Sequence, residues 1–195
     1  SRICEHRRQV DGVVAYGRSS ESEIEMPFFP LGGLAEYLQQ HPVITMRQRL
    51  QWVRSCAATI CRVHAKRVLI SDVASRNFLV DDDLELKLAD FDNSEIIPTD
   101  EDMSTERTSG ACLKLDVAHF GSLLFEVITG CPGPGSESRE KEELPNTAGV
   151  VLGDIIRKCW AKNGGYRNMD DVYEALDSEI NRLQSRYWID GVFVL

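Results

Sequence analysis

Three polar side chains surround one short hairpin between residues 70 and 92. Asp72 and Asn77 stand five positions apart in a polar loop, and Asp90 follows the hairpin. Because a hairpin returns the chain to its starting point, we expect Asn77 and Asp90 to lie close together. Two carboxylates and one amide at a single point can orient a hydroxyl group and hold Mg²⁺ against a phosphate. The spacing therefore predicts a phosphoryl-transfer site and constrains the fold around it.

The hairpin is indicated by the alternation of its second strand. Leucine occupies every second position of residues 84–88, with Glu85 and Lys87 between. This period of two is typical of a strand with one buried face. Residues 78–80 are predicted as the partner strand and the three aspartates 81–83 as the turn.

Helical periodicity dominates the rest of the chain. Over residues 46–64, apolar or small residues and His64 recur at steps of four and three, which is typical of a helix with one buried face. We interpret His64 as a packed core histidine. Residues 115–129 are apolar on nearly all sides, which predicts a buried central helix. The remaining predicted helices are 34–40, 151–162 and a final one capped by Asn168 and ending near 183.

The other segments show weaker signals. Residues 10–18 and 22–28 are predicted as two short strands, and residues 93–113 as a mobile loop without period. The tail, residues 187–195, is apolar and has no predicted element. The expected fold class is α+β, mainly α.

Composition excludes several classes of protein. A net charge of −9 argues against a nucleic-acid or anionic-membrane partner. No apolar run approaches the ~18 residues of a membrane span. The six cysteines lack zinc-ligand spacing, and Cys56, Cys61 and Cys159, which fall in apolar helical patterns, are expected to be buried free thiols. A cytoplasmic or nuclear location is the expectation.

These motifs together resemble the protein kinase family over nearly the whole chain, and fungal protein-kinase-like proteins in particular. Residues 26–38 are similar to a kinase hinge and the helix after it, residues 70–92 to the catalytic and metal-binding loops, and residues 116–130 to the buried helix of the large lobe. The resemblance implies a kinase large lobe, a helical bundle with a β-hairpin, at residues 31–186. Residues 1–30 would then be a remnant of the small lobe, namely its last two strands and the hinge, and residues 187–195 a tail.

The resemblance also implies roles for individual residues and for cofactors. ATP and Mg²⁺ would be the cofactors, and a protein would be the substrate or partner. The implied catalytic residues are Asp72, Arg76 and Asn77, and the implied metal ligands are Asn77, Asp90 and Asp92. Implied nucleotide contacts are Met26, Phe28, Asn77 and Asp90, and implied structural residues are Phe91, Asp116 and Arg167, with Asp116 bonding the catalytic-loop backbone.

The chain departs from the family pattern at several points. Where the family has His-Arg-Asp, this chain has Ile70-Ser71-Asp72, so the cation that would bind a phosphorylated activation loop is missing. The glycine of Asp-Phe-Gly is replaced by Asp92. No Gly-x-Gly-x-x-Gly occurs, and no lysine precedes Lys66. We therefore expect this chain alone to be inactive or close to it.

Three hypotheses remain open at this point. The chain is the large-lobe part of a longer active protein kinase, or a pseudokinase that serves as a scaffold or regulatory interaction module, or a small-molecule phosphotransferase of kinase-like fold. The pseudokinase hypothesis predicts an exposed apolar partner surface where the small lobe would sit, formed by Val13, Val14, Ile24, Phe28 and Phe29.

Overall fold

The computed structural model describes residues 10–16, 25–135, 143–189 and 192–193. Five helices lie in this part of the chain: α1 (Leu34–Gln40), α2 (Met46–Ala65), α3 (Leu113–Thr129), α4 (Gly153–Trp160) and α5 (Met169–Tyr187). Six short strands pair as three antiparallel two-stranded sheets: β1 (Val68–Leu69) with β4 (Glu95–Ile96), β2 (Phe78–Val80) with β3 (Leu86–Leu88), and β5 (Trp188–Ile189) with β6 (Val192–Phe193). The α+β, mainly helical class is confirmed.

Helix α2 forms where its periodicity predicted it. Thr45 caps the helix, because its hydroxyl accepts a hydrogen bond from the Gln48 amide at 3.2 Å. Leu50, Val53 and Ile60 are fully buried on the predicted face. Helix α2 packs against both α3 and α5 through this apolar side.

Helix α3 is the centre of the bundle and contacts α2, α4 and α5. Its apolar residues are buried on several sides, as the sequence predicted. It ends at Gly130, whose φ of 76° gives the left-handed cap that glycine adopts without a Cβ penalty. Apolar as α3 is, no helix in the described part of the chain has both the length and the apolarity to cross a membrane.

The predicted hairpin is present. Phe78 pairs with Leu88 and Val80 with Leu86, and all four side chains are buried. Gly33, just before α1, bridges Leu79 on the other side of the hairpin. The hairpin is therefore fixed between α1 and α2, which it contacts directly.

Helices α4 and α5 differ from prediction mainly at their ends. Helix α4 begins at Gly153 rather than residue 151, because Leu152 has a left-handed φ of 62° that does not continue a helix. The predicted Asn168 cap is confirmed, since its Oδ1 accepts from the Asp171 amide at 2.8 Å. The tail, without a predicted element, contributes β5 and β6.

The predicted strand over residues 10–18 is wrong where the structure describes it. Residues 10–16 make only an isolated parallel bridge, Val13 with Leu88. The Val14 amide donates to the Leu88 carbonyl at 2.9 Å, and the Leu88 amide donates to the Gly12 carbonyl at 2.7 Å. This segment thus pairs with the edge of the hairpin.

The predicted strand over residues 22–28 is also absent where it can be described. Residues 25–28 form no strand, and Pro27 lacks the amide hydrogen that a paired strand uses. Residues 17–24, which complete both predictions, lie outside the described residues.

Residues 93–113 are more structured than the predicted loop. Strand β4 pairs Ile96 with Val68 and Glu95 with Leu69. Ile97 is buried beside Leu69 in a small second core that also contains Ala111, with Met103 and Leu113 against it. The four apolar side chains that this segment contributes are scattered among polar residues without a period, so the sequence pattern did not reveal this core.

Candidate functional site

Helix α3 anchors the loop that carries Asp72. The carboxylate of Asp116 accepts hydrogen bonds from the Ile70 amide at 2.8 Å and the Ser71 amide at 2.7 Å. Its Oδ2 also lies 2.8 Å from Nε2 of His64 on α2. Asp116 is fully buried, and its contacts with Ile70 and His64 are shielded from water, whereas the contact with Ser71 is partly buried. Asp116 thus contacts the loop backbone in the way that the resemblance implied.

Asp72, Arg76 and Asn77 are brought together by a tight turn. One terminal nitrogen of Arg76 donates to both carboxylate oxygens of Asp72, at 2.6 and 2.7 Å. Nδ2 of Asn77 donates to the Asp72 carbonyl at 2.8 Å and to its Oδ2 at 3.1 Å. A 3₁₀ turn at Ser75–Asn77 makes this convergence possible. Asp72 is therefore held in one orientation from two sides.

The hairpin returns Asp90 to the neighbourhood of Asn77. The Ala89 amide donates to the Asn77 carbonyl at 2.8 Å, directly beyond the Phe78–Leu88 pair. Asp90 is therefore one residue past the position opposite Asn77, which is the predicted arrangement.

The three residues 90–92 form a compact turn. Asp90 has a left-handed φ of 52°, and its Oδ1 accepts from the Asp92 amide at 3.2 Å. Phe91 is buried in the main core, whereas Asp90 and Asp92 are exposed. Burial of Phe91 anchors the turn and leaves both carboxylates at the surface of the site.

The donor set of this region suits a magnesium ion. No group of three His, Cys, Asp or Glu side chains with metal-binding spacing is found among the described residues. The available ligands are the carboxylates of Asp90 and Asp92 and the amide oxygen of Asn77, whose Nδ2 is occupied by Asp72. Mg²⁺ is usually bound by one or two carboxylates together with substrate phosphates and water. The residues fit such an ion when a nucleotide supplies the remaining oxygens.

The predicted nucleotide contacts on the hinge side are open to solvent. Phe28 is 88% exposed and Met26 46% exposed. A cleft of about 310 Å³ lies here, and the residues that line it include Val13, Val14, Phe28, Phe29 and Lys87 of β3. The cleft therefore has a largely apolar surface beside the hairpin.

The predicted partner surface is only partly exposed. Val13 and Val14 are buried, because their segment pairs with Leu88, so they form no exposed ledge. Phe28 is exposed and Phe29 half-buried, and Ile24 lies outside the described residues. The exposed apolar area in the described residues at this edge is therefore smaller than expected.

A second cleft of about 360 Å³ adjoins Asp72 and is lined by the turn after it and by α3. Within it, the Ser75 hydroxyl donates to Oε2 of Glu126 at 2.6 Å. His119 lines the same cleft from α3. Open space therefore lies beside Asp72, which is one of the residues that line this cleft.

Arg167, an implied structural residue, lies at the surface just before α5. Its side chain is 89% exposed and lies 3.9 Å from Asp171 of α5. Such a surface pair contributes little to stability. Glu106, the acidic residue before α3, is exposed as well.

The sequence did not single out two contacts that shape the site. His64 was interpreted as a core residue, and the structure adds that it holds Asp116; the available signal was a polar side chain on a buried helix face, which needs a partner. The Ser75–Glu126 hydrogen bond joins residues 51 positions apart, and no local pattern could indicate it.

Comparison with known proteins shows the family of the chain. The family model for "Protein tyrosine and serine/threonine kinase" matches residues 4–174. The chain is 26% identical over 188 residues to the L-type lectin-domain containing receptor kinase V.4 of Arabidopsis thaliana, covering 86% of this chain and 26% of that one. It is 31% identical over 177 residues to the mixed lineage kinase domain-like protein of Mus musculus, covering 75% and 38%.

A third relative is the tyrosine-protein kinase JAK3 of Rattus norvegicus, 28% identical over 197 residues, covering 77% of this chain and 18% of that one. The match spans between 18% and 38% of these relatives' own length. They are plant and mammalian proteins, and the likeness to fungal proteins stays a prediction. With its helical bundle, its hairpin and the model match over residues 4–174, the chain belongs to the protein kinase family.

Proposed function

We propose that this chain supplies the acceptor-binding and metal-binding half of an ATP-dependent protein kinase domain, with residues 31–186 as its large lobe. One observation carries the proposal. Asp72, Arg76 and Asn77 are joined by hydrogen bonds, and the hairpin brings Asp90 next to Asn77. The family generally uses ATP and Mg²⁺.

Asp72 is the residue that contacts the acceptor. Its carboxylate borders the 360 Å³ cleft, so it can orient a hydroxyl group that enters there and accept the hydroxyl proton. Arg76 and Asn77 hold the carboxylate of Asp72 in one orientation. A base that is already oriented needs less free energy to reach the reactive geometry.

Asn77 and Asp90, with Asp92 beside them, would hold Mg²⁺. Bound Mg·ATP supplies the transferable phosphoryl group and the cation that neutralises its charge. The carboxylates of Asp90 and Asp92 are exposed toward solvent and free of cationic partners that the structure shows. Their role is to fix the position of the metal relative to Asp72.

Residues 1–195 alone should show little or no activity. They contain no Gly-rich phosphate motif and no lysine before Lys66. Each missing preorganised contact typically costs about 3 to 4 kcal/mol of transition-state stabilisation. Activity would then require a nucleotide-binding lobe in the full-length product of the gene.

Phosphate transfer from labelled ATP to a generic protein substrate tests the proposal. We expect Mg²⁺-dependent transfer by the full-length product and a loss of at least about a hundredfold in Asp72→Asn. Asp100→Asn, an exposed carboxylate change outside the site, is the matched control and should keep full activity. Undiminished transfer by Asp72→Asn would refute the proposed role.

The second candidate function is that of a pseudokinase interaction module. Asp92 replaces the glycine of the metal loop, and one relative at 31% identity is named as kinase domain-like. This candidate predicts that the full-length product neither transfers phosphate nor gains thermal stability from Mg·ATP. A rise in Tm that disappears in Asp90→Asn would instead favour the kinase proposal.

A further inference from the structure

Arg67 occupies an unusual backbone position at the turn after α2. Its φ is 59°, in the left-handed region, and its amide donates to the His64 carbonyl at 2.7 Å. For a residue with a Cβ, this conformation costs roughly 1 kcal/mol or more. Glycine would avoid the cost, so the arginine side chain is expected to contribute something that offsets it.

The side chain of Arg67 is bound to the backbone of the segment that follows β4. Its Nε donates to the carbonyls of Ile97 and Pro98, both at 3.1 Å. A terminal nitrogen donates to the carbonyls of Pro98 and Glu101, both at 2.5 Å. One guanidinium therefore binds three main-chain carbonyls within residues 97–101 through two of its nitrogens, whereas a lysine ammonium offers its donors from a single nitrogen.

The main chain of Arg67 adds a further contact to the same segment. The Ile97 amide donates to the Arg67 carbonyl at 2.7 Å, next to the β1–β4 pair. All the hydrogen bonds described between Arg67 and residues 95–101 are thus made with backbone groups of that segment. The contact depends on the path of the segment and not on which side chains it carries.

Two other sets of contacts order residues 95–111. The side chain of Ile97 is buried against Leu69 and Ala111. On the exposed side, Arg107 pairs with Glu101 and lies 3.8 Å from Glu95. Residues 95–111 are therefore fixed to the rest of the fold by the Ile97–Leu69 contact and by Arg67, and the Arg107 ion pairs join the segment internally.

None of these contacts involves a phosphate or needs one. Position 71, where the family pattern has the arginine of His-Arg-Asp, is the uncharged Ser71. The guanidinium that reaches the segment comes instead from Arg67, four residues earlier, and its acceptors are carbonyl oxygens.

We propose that Arg67 docks residues 95–101 onto the large lobe, and that this docking is independent of phosphorylation. The segment is then held in place constitutively. The docking concerns the order of the backbone and does not depend on phosphate transfer. The docking can therefore fail while the proposed function holds, and the proposed function can fail while the docking holds.

Hydrogen exchange on unphosphorylated chain tests the proposal. The chain is treated with phosphatase, its mass is checked, and amide exchange is followed by mass spectrometry with the peptide that covers residues 95–101. We expect protection of this peptide in the unmodified protein, with the Ile97 amide among the slow ones. Exchange at the rate of an unfolded peptide would overturn the proposal.

Arg67→Gly separates the side chain from the backbone conformation. Glycine keeps the left-handed turn at no steric cost, but it removes all four side-chain hydrogen bonds. We expect exchange in residues 95–101 to accelerate by about tenfold or more, since even one or two lost hydrogen bonds are worth that much. Peptides from α2 and α3 should be unchanged, and an unchanged 95–101 peptide would overturn the proposal.

Two further variants keep the test decisive. Arg107→Gln removes the surface ion pairs and leaves Arg67 in place, so it should accelerate exchange far less than Arg67→Gly. If Arg67→Gly also exposes α2 and α3, Arg67→Lys provides the test, because it keeps the charge but offers donors from one nitrogen in place of the two that bind residues 97–101. Faster exchange of residues 95–101 alone in Arg67→Lys supports the docking role, and wild-type exchange there contradicts it.

Discussion

Nε2 of His64 lies 2.8 Å from Oδ2 of Asp116, and both side chains are buried. The same carboxylate accepts the amides of Ile70 and Ser71. Asp116 therefore joins helix α2, helix α3 and the backbone immediately before Asp72. This one buried group therefore holds the backbone that leads into Asp72, whereas Arg76 and Asn77 orient the Asp72 carboxylate itself.

Asp116→Ala should destabilise the protein severely. It leaves the buried Ile70 amide, the partly buried Ser71 amide and the His64 imidazole without their partner, at about 1–3 kcal/mol for each buried group. We expect the free energy of unfolding in urea to fall by about 3 kcal/mol or more, with Asp116→Asn less affected because one oxygen acceptor remains. A loss below about 1 kcal/mol would show that the loop is held by other contacts.

Arg76→Ala should leave stability almost unchanged. The Arg76–Asp72 pair is as short as the Asp116 contacts, but the two side chains are 59% and 28% exposed. Exposed ion pairs contribute about 0–1 kcal/mol. Urea unfolding should therefore shift by less than about 1 kcal/mol, while any phosphoryl transfer by the full-length product should fall. A large loss of stability would mean that Arg76 has a structural role.

Gly121→Ala should lower stability, although alanine is the better helix former. Gly121 lies in α3, and a Cβ there would come within 2.7 Å of the Cys159 Cβ and 2.9 Å of the Trp160 Nε1 in α4. The helix-propensity gain is about 1 kcal/mol, whereas overpacking a rigid contact costs about 1–3 kcal/mol. We expect a net loss in the free energy of unfolding, and a more stable variant would show that α4 moves away easily.

Cysteine alkylation should follow burial. Burial, then the nearby carboxylate of Asp170, raises the pKa of Cys61 to about 12, and burial raises the pKa of Cys159 to about 12. A raised pKa favours the neutral thiol, so at pH 8 only on the order of one in 10⁴ of these groups is a thiolate. Cys131 is exposed.

Iodoacetamide at pH 8 should therefore modify Cys131 well before Cys61 and Cys159, as peptide mass mapping would show. Cys56 is fully buried, and burial raises its pKa as well, so it belongs to the slow group. Raising the pH to 10 should leave the order unchanged, because that pH is still below the raised values. In urea the difference should vanish, and equal rates in the folded chain would contradict the described packing.

Local patterns in the sequence were sufficient for most of the fold. Helix α2 and the β2–β3 hairpin follow from periods of 3.6 and 2, because each element buries one face and the period identifies that face. The order of Asp72, Asn77 and Asp90 around the hairpin likewise indicated which residues would meet. The Asn168 cap was readable because capping acts within four residues.

Contacts between distant residues were not predictable in this way. Residues 10–16 were expected to pair as a strand of their own, and they pair with Leu88 instead. Residues 93–113 showed no period, yet Ile97 is buried and Arg67 binds the backbone around it. In both cases the contact partner comes from a distant part of the chain, and only the folded structure shows which surface is available for the contact.

The sequence by itself determined the family, the helical bundle and the identity of the candidate site residues, because those depend on local periodicity and on residue chemistry at fixed spacing. The tertiary structure alone decided that His64 and Asp116 hold the residues just before Asp72. It also decided that Arg67 reaches three carbonyls of residues 97–101. The physical reason is that a buried polar group must find a partner wherever the fold provides one. A single sequence shows the need for that partner but not its location.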